Sequence, residues 1–331
     1  MIERLHWVLP FALGMLCHHA HINGWYQDFF SEPDTFLFPA VTYPTRPLPS
    51  QYVPVKHTAK FWNWSAIQFR YQFDCSIIKE YVKGDVAEAC VLLDQDVETL
   101  AFSVMCHRPA NFQARVRKAL TPYLKSVLST YQMAALFMAP KMYLVSTAQW
   151  MKLLRREVGN SGRLLDVGAG VGYITATAAP LFDYVATTEV TWLQWFQLWR
   201  RGFHPYVIED LSVEVVGTGW DVVTCLNVFD RTKKPLSLLR ALRDIVSPDG
   251  LVVVALPVPV STHLIRSDLE NMLSSEKLPL ESLDVRGNNW EACMHSLIRW
   301  VMATRLFDVK AVSRAPYVSQ GLTPTSVPMS V

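Results

Sequence analysis

Along the 331 residues the spacing of apolar positions changes near Gly162. Between Trp64 and Leu154, apolar residues recur at helical intervals in CSIIKEYVKG, ARVRKALTPYLKSVLSTYQMAALFM and STAQWMKLLRREVG, which predicts helices, the last capped by Ser146 or Thr147. Beyond Gly162 the runs shorten to strand length in RLLDV, DYVATTEV, HPYVIED, WDVVTCLNV, LVVVALPVP and FDVKAVSRAP. They alternate with helical stretches such as PLSLLRALRDIVS and WEACMHSLIRWVMATRL. That alternation predicts an α/β protein with a mostly parallel, doubly wound sheet behind an N-terminal helical layer. In such sheets ligands bind beyond the carboxyl ends of the strands, where Asp166, Glu189, Asp210 and Asn227 fall. The segments read as an apolar start over 1–21, a proline- and aromatic-rich extended stretch over 22–60, the helical layer over 61–160, the sheet domain over 161–321 and an irregular tail over 322–331 without a strand.

Composition supports a folded chain of one large domain or one and a half: 50% of residues are hydrophobic and 12% aromatic. The net charge is +2 and no Lys/Arg run exceeds a few residues, so nucleic acid is not an expected partner. The six cysteines, Cys17, Cys75, Cys90, Cys106, Cys225 and Cys293, show no C-x-x-C or His-paired zinc spacing, and no metal is expected. If the chain enters a lumen, a disulfide can form among Cys75, Cys90 and Cys106. The run from Trp7 to Cys17 after Arg4 is too short to span a bilayer but fits a signal-peptide core, with Ala12-Leu13-Gly14 as a cleavage pattern. This points to the secretory pathway, with membrane association through the N-terminus. Glu3 and Pro10 weaken that pattern, and the alternative is a buried first helix in a cytoplasmic protein. Asn63-Trp64-Ser65 is a glycosylation sequon usable only in the secretory compartment.

The chemistry concentrates in RLLDVGAGVGYITATAAPLFDYVATTEV, Arg163 to Val190. Gly168, Gly170 and Gly172 alternate in a turn between a strand and an alanine- and threonine-rich helix, so a ligand can approach backbone that carries no β-carbon. A phosphate ligand calls for a Lys-Ser/Thr pair after the glycines or for G-x-G-x-x-G, and neither is present. Glu189, ending the next strand, suits ribose hydroxyls, and Asp166 adds a second acceptor near the turn. A ligand with a ribose, a cationic amino acid end and no phosphate fits this set: S-adenosyl-L-methionine.

LLDVGAGVG, ATTEV, WDVVTCLNVFDR, KPLSLLRALRDIVSPDG, VRGNNWEACMHSL and SRAPYVSQG resemble successive blocks of the DREV-type methyltransferases, from about Trp64 to Gly321. The resemblance implies a class I, Rossmann-like fold of seven strands with S-adenosylmethionine as methyl donor. It also implies an endoplasmic-reticulum or other endomembrane location, and protein-histidine N-pros methylation in His-x-His segments whose middle residue is small. On it, Asp230 in CLNVFD orients the acceptor imidazole and takes its proton, and Asn227 holds the backbone or the ring. Tyr317 in APYV corresponds to the tyrosine near the acceptor. Asp210 in VIED would face the adenine amine. On the residues alone, Asp230 also suits a turn cap, Tyr317 a packing position and Asp210 an exposed loop. Two departures stand out. Val171 occupies a place where the family usually has an acid, and the tail lacks the pattern of the family's last strand, which predicts a six-stranded sheet or a shortened isoform. His19-Ala20-His21 is itself a His-x-His segment and a candidate self-acceptor. Two other readings remain: a donor-binding protein without catalysis, and a methyltransferase acting on a small molecule.

Overall fold

The computed structural model describes residues 69–82, 84–106, 112–138, 141–232, 234–257, 290–319 and 329–330. The signal-peptide segment, the proline-rich stretch, the sequon at Asn63 and the His19-Ala20-His21 segment lie outside the described residues.

Polar residues cut the N-terminal layer into short pieces. CSIIKEYVKG forms only a single 3-10 turn, Cys75–Ile78, with the Asp74 carboxylate accepting from the Ser76 N–H. α1 (Val86–Ala89) is capped in the same way by Asp85, and α2 (Val97–Cys106) follows. The long apolar pattern after Ala114 is two helices, α3 (Phe112–Leu124) and α4 (Thr130–Phe137). They part at Ser129, whose hydroxyl accepts from the Gln132 N–H at 3.2 Å while the Gln132 side chain accepts from the Ser129 N–H at 2.9 Å. This reciprocal cap starts a new helix where periodicity alone runs straight through. Ser146 caps α5 (Thr147–Leu154) in the same way, and the Thr147 hydroxyl instead donates to the carbonyl of Thr177 at 2.9 Å.

The main sheet contains β2 (Arg163–Val167), β3 (Tyr184–Glu189), β4 (His204–Val207), β5 (Trp220–Leu226) and β6 (Val246–Ala255). All its pairs are parallel and their order is β4-β3-β2-β5-β6. The chain winds outward from β2 to β4, then crosses back to β5, so the crevice between β2 and β5 is the switch point where ligands bind. Alternate residues of β2 face opposite layers, as a strand covered on both faces requires. Leu164 packs in one cluster with Trp150, Leu154, Ile174, Leu198 and Phe203, from α5, α6 (Tyr173–Ala178), α7 (Trp192–Arg200) and the turn after it. Leu165 and Val167 pack in the other with Leu239, Leu242, Trp290 and Leu297, from α9 (Pro235–Ile245) and α10 (Trp290–Thr304). The short α8 (Val213–Val216) precedes β5.

Three expectations need correction. FDVKAVSRAP is not a strand of the main sheet; before its final Pro316 it makes only an isolated parallel bridge, from Val312 to Cys90. The strand comes later, at β7 (Pro316–Ser319), in a separate antiparallel sheet ordered β1-β7-β8 with β1 (Met142–Tyr143) and β8 (Met329–Ser330). The tail therefore supplies a strand, too short for apolar alternation to reveal, and the main sheet has five strands among the described residues.

Candidate active site

The glycine turn closes on itself before it meets any ligand. The N–H groups of Gly168 and Ala169 both donate to the Thr188 carbonyl, at 3.1 and 3.2 Å, tying the end of β2 to β3. The three glycines have φ of +71°, +63° and +81°, the left-handed region that other residues enter at a cost. Their surroundings differ. A β-carbon on Gly168 would lie 2.7 Å from a Val228 methyl, and one on Gly172 2.9–3.2 Å from Leu198, Phe203 and Arg201. On Gly170 the nearest atom would be the Met142 methyl, at 4.0 Å. Gly168 and Gly172 are small because protein packs on them; Gly170 faces open space.

Glu189, at the end of β3, reaches across to the turn. One carboxylate oxygen accepts from the Gly170 N–H and the other from the Val190 N–H at 3.0 Å. Burial raises its pKa to about 7 against the opposing pull of these two hydrogen bonds. Asp166 lies deeper: Thr175 of α6 donates to one of its oxygens and Thr224 of β5 to the other, at 2.7 Å for the latter. Burial raises its pKa to about 6. Asp166 pins β2, β5 and α6 together beneath the turn, so it lies in the floor, and Glu189 lies at the rim. Asp210 is distant in kind as well. Its side chain is 83% exposed and stands 3.9 Å from the Lys234 ammonium, as the loop acid of the second reading.

Across the switch point, Asn227 follows β5 at φ +58°, a conformation asparagine tolerates better than most side chains, with its N–H donating to the Ala255 carbonyl at 2.8 Å. Asn227 and Asp230 are 5% and 4% exposed. Asn227 Oδ1 and both carboxylate oxygens of Asp230 have no hydrogen-bond partner among the described residues. Arg231 Nε stands 3.6 Å from Asp230 Oδ2, an ion pair longer than a hydrogen bond. Burial raises the Asp230 pKa, and the Arg231 cation offsets part of the rise. Tyr317, on β7, is buried and donates its hydroxyl to Met142 Sδ at 2.8 Å. Burial raises its pKa; Arg231 opposes that rise and Asp230 adds to it, which places Tyr317 beside the Asp230–Arg231 pair. The Arg231 cation also opposes, weakly, the rise at Glu189.

The structure thus brings Gly170, Glu189, Asn227, Asp230 and Tyr317 to one end of the sheet and leaves Asp210 on the surface. Sequence reasoning missed two members. Arg231 adjoins Asp230 in FDR and could have been found from that adjacency. Met142 is 175 residues from Tyr317 and only the pairing of β1 with β7 joins them. Val171, the missing acid, is buried against Ala135 of α4, Tyr173 and Leu193. It fastens the helical layer onto the glycine turn. A cavity of about 310 Å³ lined by Arg156, Asp221 and Ser247 to Leu251 opens at the other end of β5 and away from these residues.

The family model described as DREV methyltransferase matches residues 82–327. The chain belongs to the DREV methyltransferase family. The chain also has partial similarity to several solved structures. An amino pentose methyltransferase from Micromonospora echinaspora bound to S-adenosylmethionine is 18% identical, with 45% of this chain and 58% of that chain covered and a TM-score of 0.28. A S-adenosylmethionine-dependent methyltransferase from Clostridium acetobutylicum is 10% identical over 44% and 58%, at 0.29. The N-methyltransferase NodS from Bradyrhizobium japonicum, in complex with S-adenosylhomocysteine, is 14% identical over 33% and 58%, at 0.28. The chain spans about half the length of the solved structures it matches. The methyl donor of this DREV protein is S-adenosylmethionine, and the residues present fit it. Gly170 leaves room for a ligand on the turn, Glu189 offers a carboxylate for ribose hydroxyls, and Asn227 brings a buried carbonyl oxygen that lacks a donor.

Proposed function

We propose that this DREV-family enzyme methylates the pros nitrogen, Nδ1, of histidine in His-x-His segments of proteins. The observation that carries the proposal is the Asp230 carboxylate, 4% exposed and without a hydrogen-bond partner among the described residues, at the end of β5 beside the glycine turn. A buried carboxylate whose oxygens accept no hydrogen bond costs stability even beside the Arg231 cation, so its retention is best explained by a ligand that donates to it. The bound donor supplies a methyl group on a sulfonium. A carboxylate that accepts the N–H of the tele nitrogen selects the tautomer whose lone pair lies on Nδ1, so Asp230 decides which nitrogen reacts. As Nδ1 gains a fourth bond the ring becomes cationic, and the same carboxylate takes the tele proton. Its raised pKa makes it a better base than an exposed aspartate. The Tyr317 hydroxyl, beside this pair, can turn from Met142 to the ring or a peptide carbonyl, and Asn227 serves donor or acceptor from the other side.

The setting proposed is the secretory pathway, in or near the endoplasmic reticulum. The Cys75–Cys90 disulfide supports an oxidising compartment. The test is methyl transfer to a His-Ala-His peptide, with donor binding measured by calorimetry and the modified nitrogen assigned by mass spectrometry of the methylhistidine isomers. Asp230→Ala is expected to keep donor affinity within a few-fold and to lower turnover roughly 100-fold or more. Donor binding by the wild type without transfer to the peptide would sink the histidine reading. Equal loss of donor binding and turnover in the variant would make Asp230 structural.

A further inference from the structure

One helix of the N-terminal layer has an apolar face that the described residues leave largely uncovered. In α3 and the turn after it, Val116, Leu120, Tyr123 and Val127 are spaced four, three and four residues apart, a single stripe on a helix. Helical bonding carries on past Leu124: the Lys125 N–H donates to the Thr121 carbonyl at 3.0 Å and the Leu128 N–H to that of Leu124 at 2.8 Å. Val127 therefore stays in line with the stripe. Leu120 is 43% exposed, Tyr123 77% and Val127 51%, while Leu128, the next turn, is buried. The opposite side holds Lys118 and Lys125, seven residues apart and both exposed, flanked by Arg117.

Charge along the chain is as uneven as hydrophobicity around this helix. From Thr99 to Arg156, 58 residues, there are nine Lys and Arg and no Asp or Glu. All 29 acidic residues lie outside that stretch, together with the other 22 basic ones, so a chain of net charge +2 concentrates positive charge in the segment that contains α3.

We infer that α3 is a membrane-interface helix, docking the protein on a bilayer surface that carries anionic lipid. An amphipathic helix with an aromatic and aliphatic stripe and lysines on its polar face lies in the headgroup plane. There the stripe enters the acyl boundary and the lysine stems reach back to phosphate. The charge argues against pairing of this helix with the same helix of a second copy, because Arg117, Lys118 and Lys125 would face their own kind with no acid on the helix. The stripe sets the helix apart from a nucleic-acid surface, where Leu120, Tyr123 and Val127 would lie against phosphate and water. No helix among the described residues is long and apolar enough to cross a membrane, so the contact is peripheral. α4 carries the contact onward to the glycine turn through Ala135 and Val171, so the donor site stands next to the docked surface.

The test is co-flotation of the full chain with vesicles of phosphatidylcholine alone and with a third of the lipid replaced by phosphatidylserine. Binding is expected to the anionic vesicles, to weaken as salt is raised, and to fall about 30-fold in Lys118→Glu/Lys125→Glu. Leu120→Ser/Tyr123→Ser should bind more weakly at every salt concentration. Both variants alter exposed residues and should keep the wild-type melting temperature and donor affinity. Variants that float like the wild type, or equal binding to the two kinds of vesicle, would overturn the inference. So would affinity for an acidic polypeptide or a DNA duplex matching that for the anionic vesicles, which would transfer the helix to a different partner.

Discussion

Glu189 is held in a state that the donor should change. Burial raises its pKa to about 7, and no cation is bonded to it; the nearest help is the more distant Arg231. In the donor-free protein a raised carboxyl pKa favours the protonated form on folding. The stability tied to it is full below the unfolded value near 4.5 and is lost as pH rises through about 7. Asp166, raised to about 6, acts in the same direction over a slightly lower window. Ribose hydroxyls bond best to the ionised form, so donor affinity should climb as pH passes through about 7. Calorimetric titrations on both sides of that pH should show the climb in the wild type and a flat profile in Glu189→Gln; a climb that survives in the variant would assign it to another group. Legibility at this scale was uneven. Glu189 could be identified because an acid ending the strand after a glycine turn has one common use. Asp166 carries the same charge at the end of the neighbouring strand, yet Thr175 and Thr224 satisfy it from below. Which acid sits at the rim and which in the floor depends on the direction each residue takes in the pleat and on the polar neighbours it finds there.

At the scale of elements, the glycine turn has two jobs that one-letter code writes alike. Gly168 and Gly172 let Val228 and the α7 end pack close, whereas Gly170 opens outward. Alanine at Gly168 or Gly172 combines left-handed strain with a clash and should cost roughly 2–4 kcal/mol. Alanine at Gly170 incurs only the strain, about 1–2 kcal/mol. Denaturant unfolding should separate the three. Donor binding should separate them in the opposite order, with Gly170→Ala losing affinity in a protein that remains folded. Normal donor affinity in folded Gly170→Ala would remove Gly170 from the cradle. The same limit on periodicity explains the helical layer. α3 and α4 share one apolar rhythm and are divided by the side-chain hydrogen bonds of Ser129 and Gln132, which a hydrophobic pattern does not register.

Across the whole molecule, the Cys75–Cys90 bridge closes a loop of 15 residues. Cys90 then lies beside Val312, whose N–H donates to the Ala89 carbonyl at 2.8 Å, on the strip that leads to β7 and Tyr317. A crosslink of that span is worth about 3 kcal/mol, so Cys75→Ser should lower the melting temperature on the order of 10 °C and make it insensitive to reductant. Equal melting of oxidised and reduced wild type would show the bridge to be absent or without effect. The sequence by itself determined the parallel α/β core, the glycine turn, and the acids and asparagine at the strand ends. Those features are local: an apolar run, a glycine spacing and a polar residue next in line are all read within a few residues. Only the tertiary structure decided that Tyr317 stands on a strand of a second sheet against Met142, and that Val171 is packed under α4. Each of these joins residues far apart in the chain, where the contact is set by how layers stack and not by the propensity of any single segment.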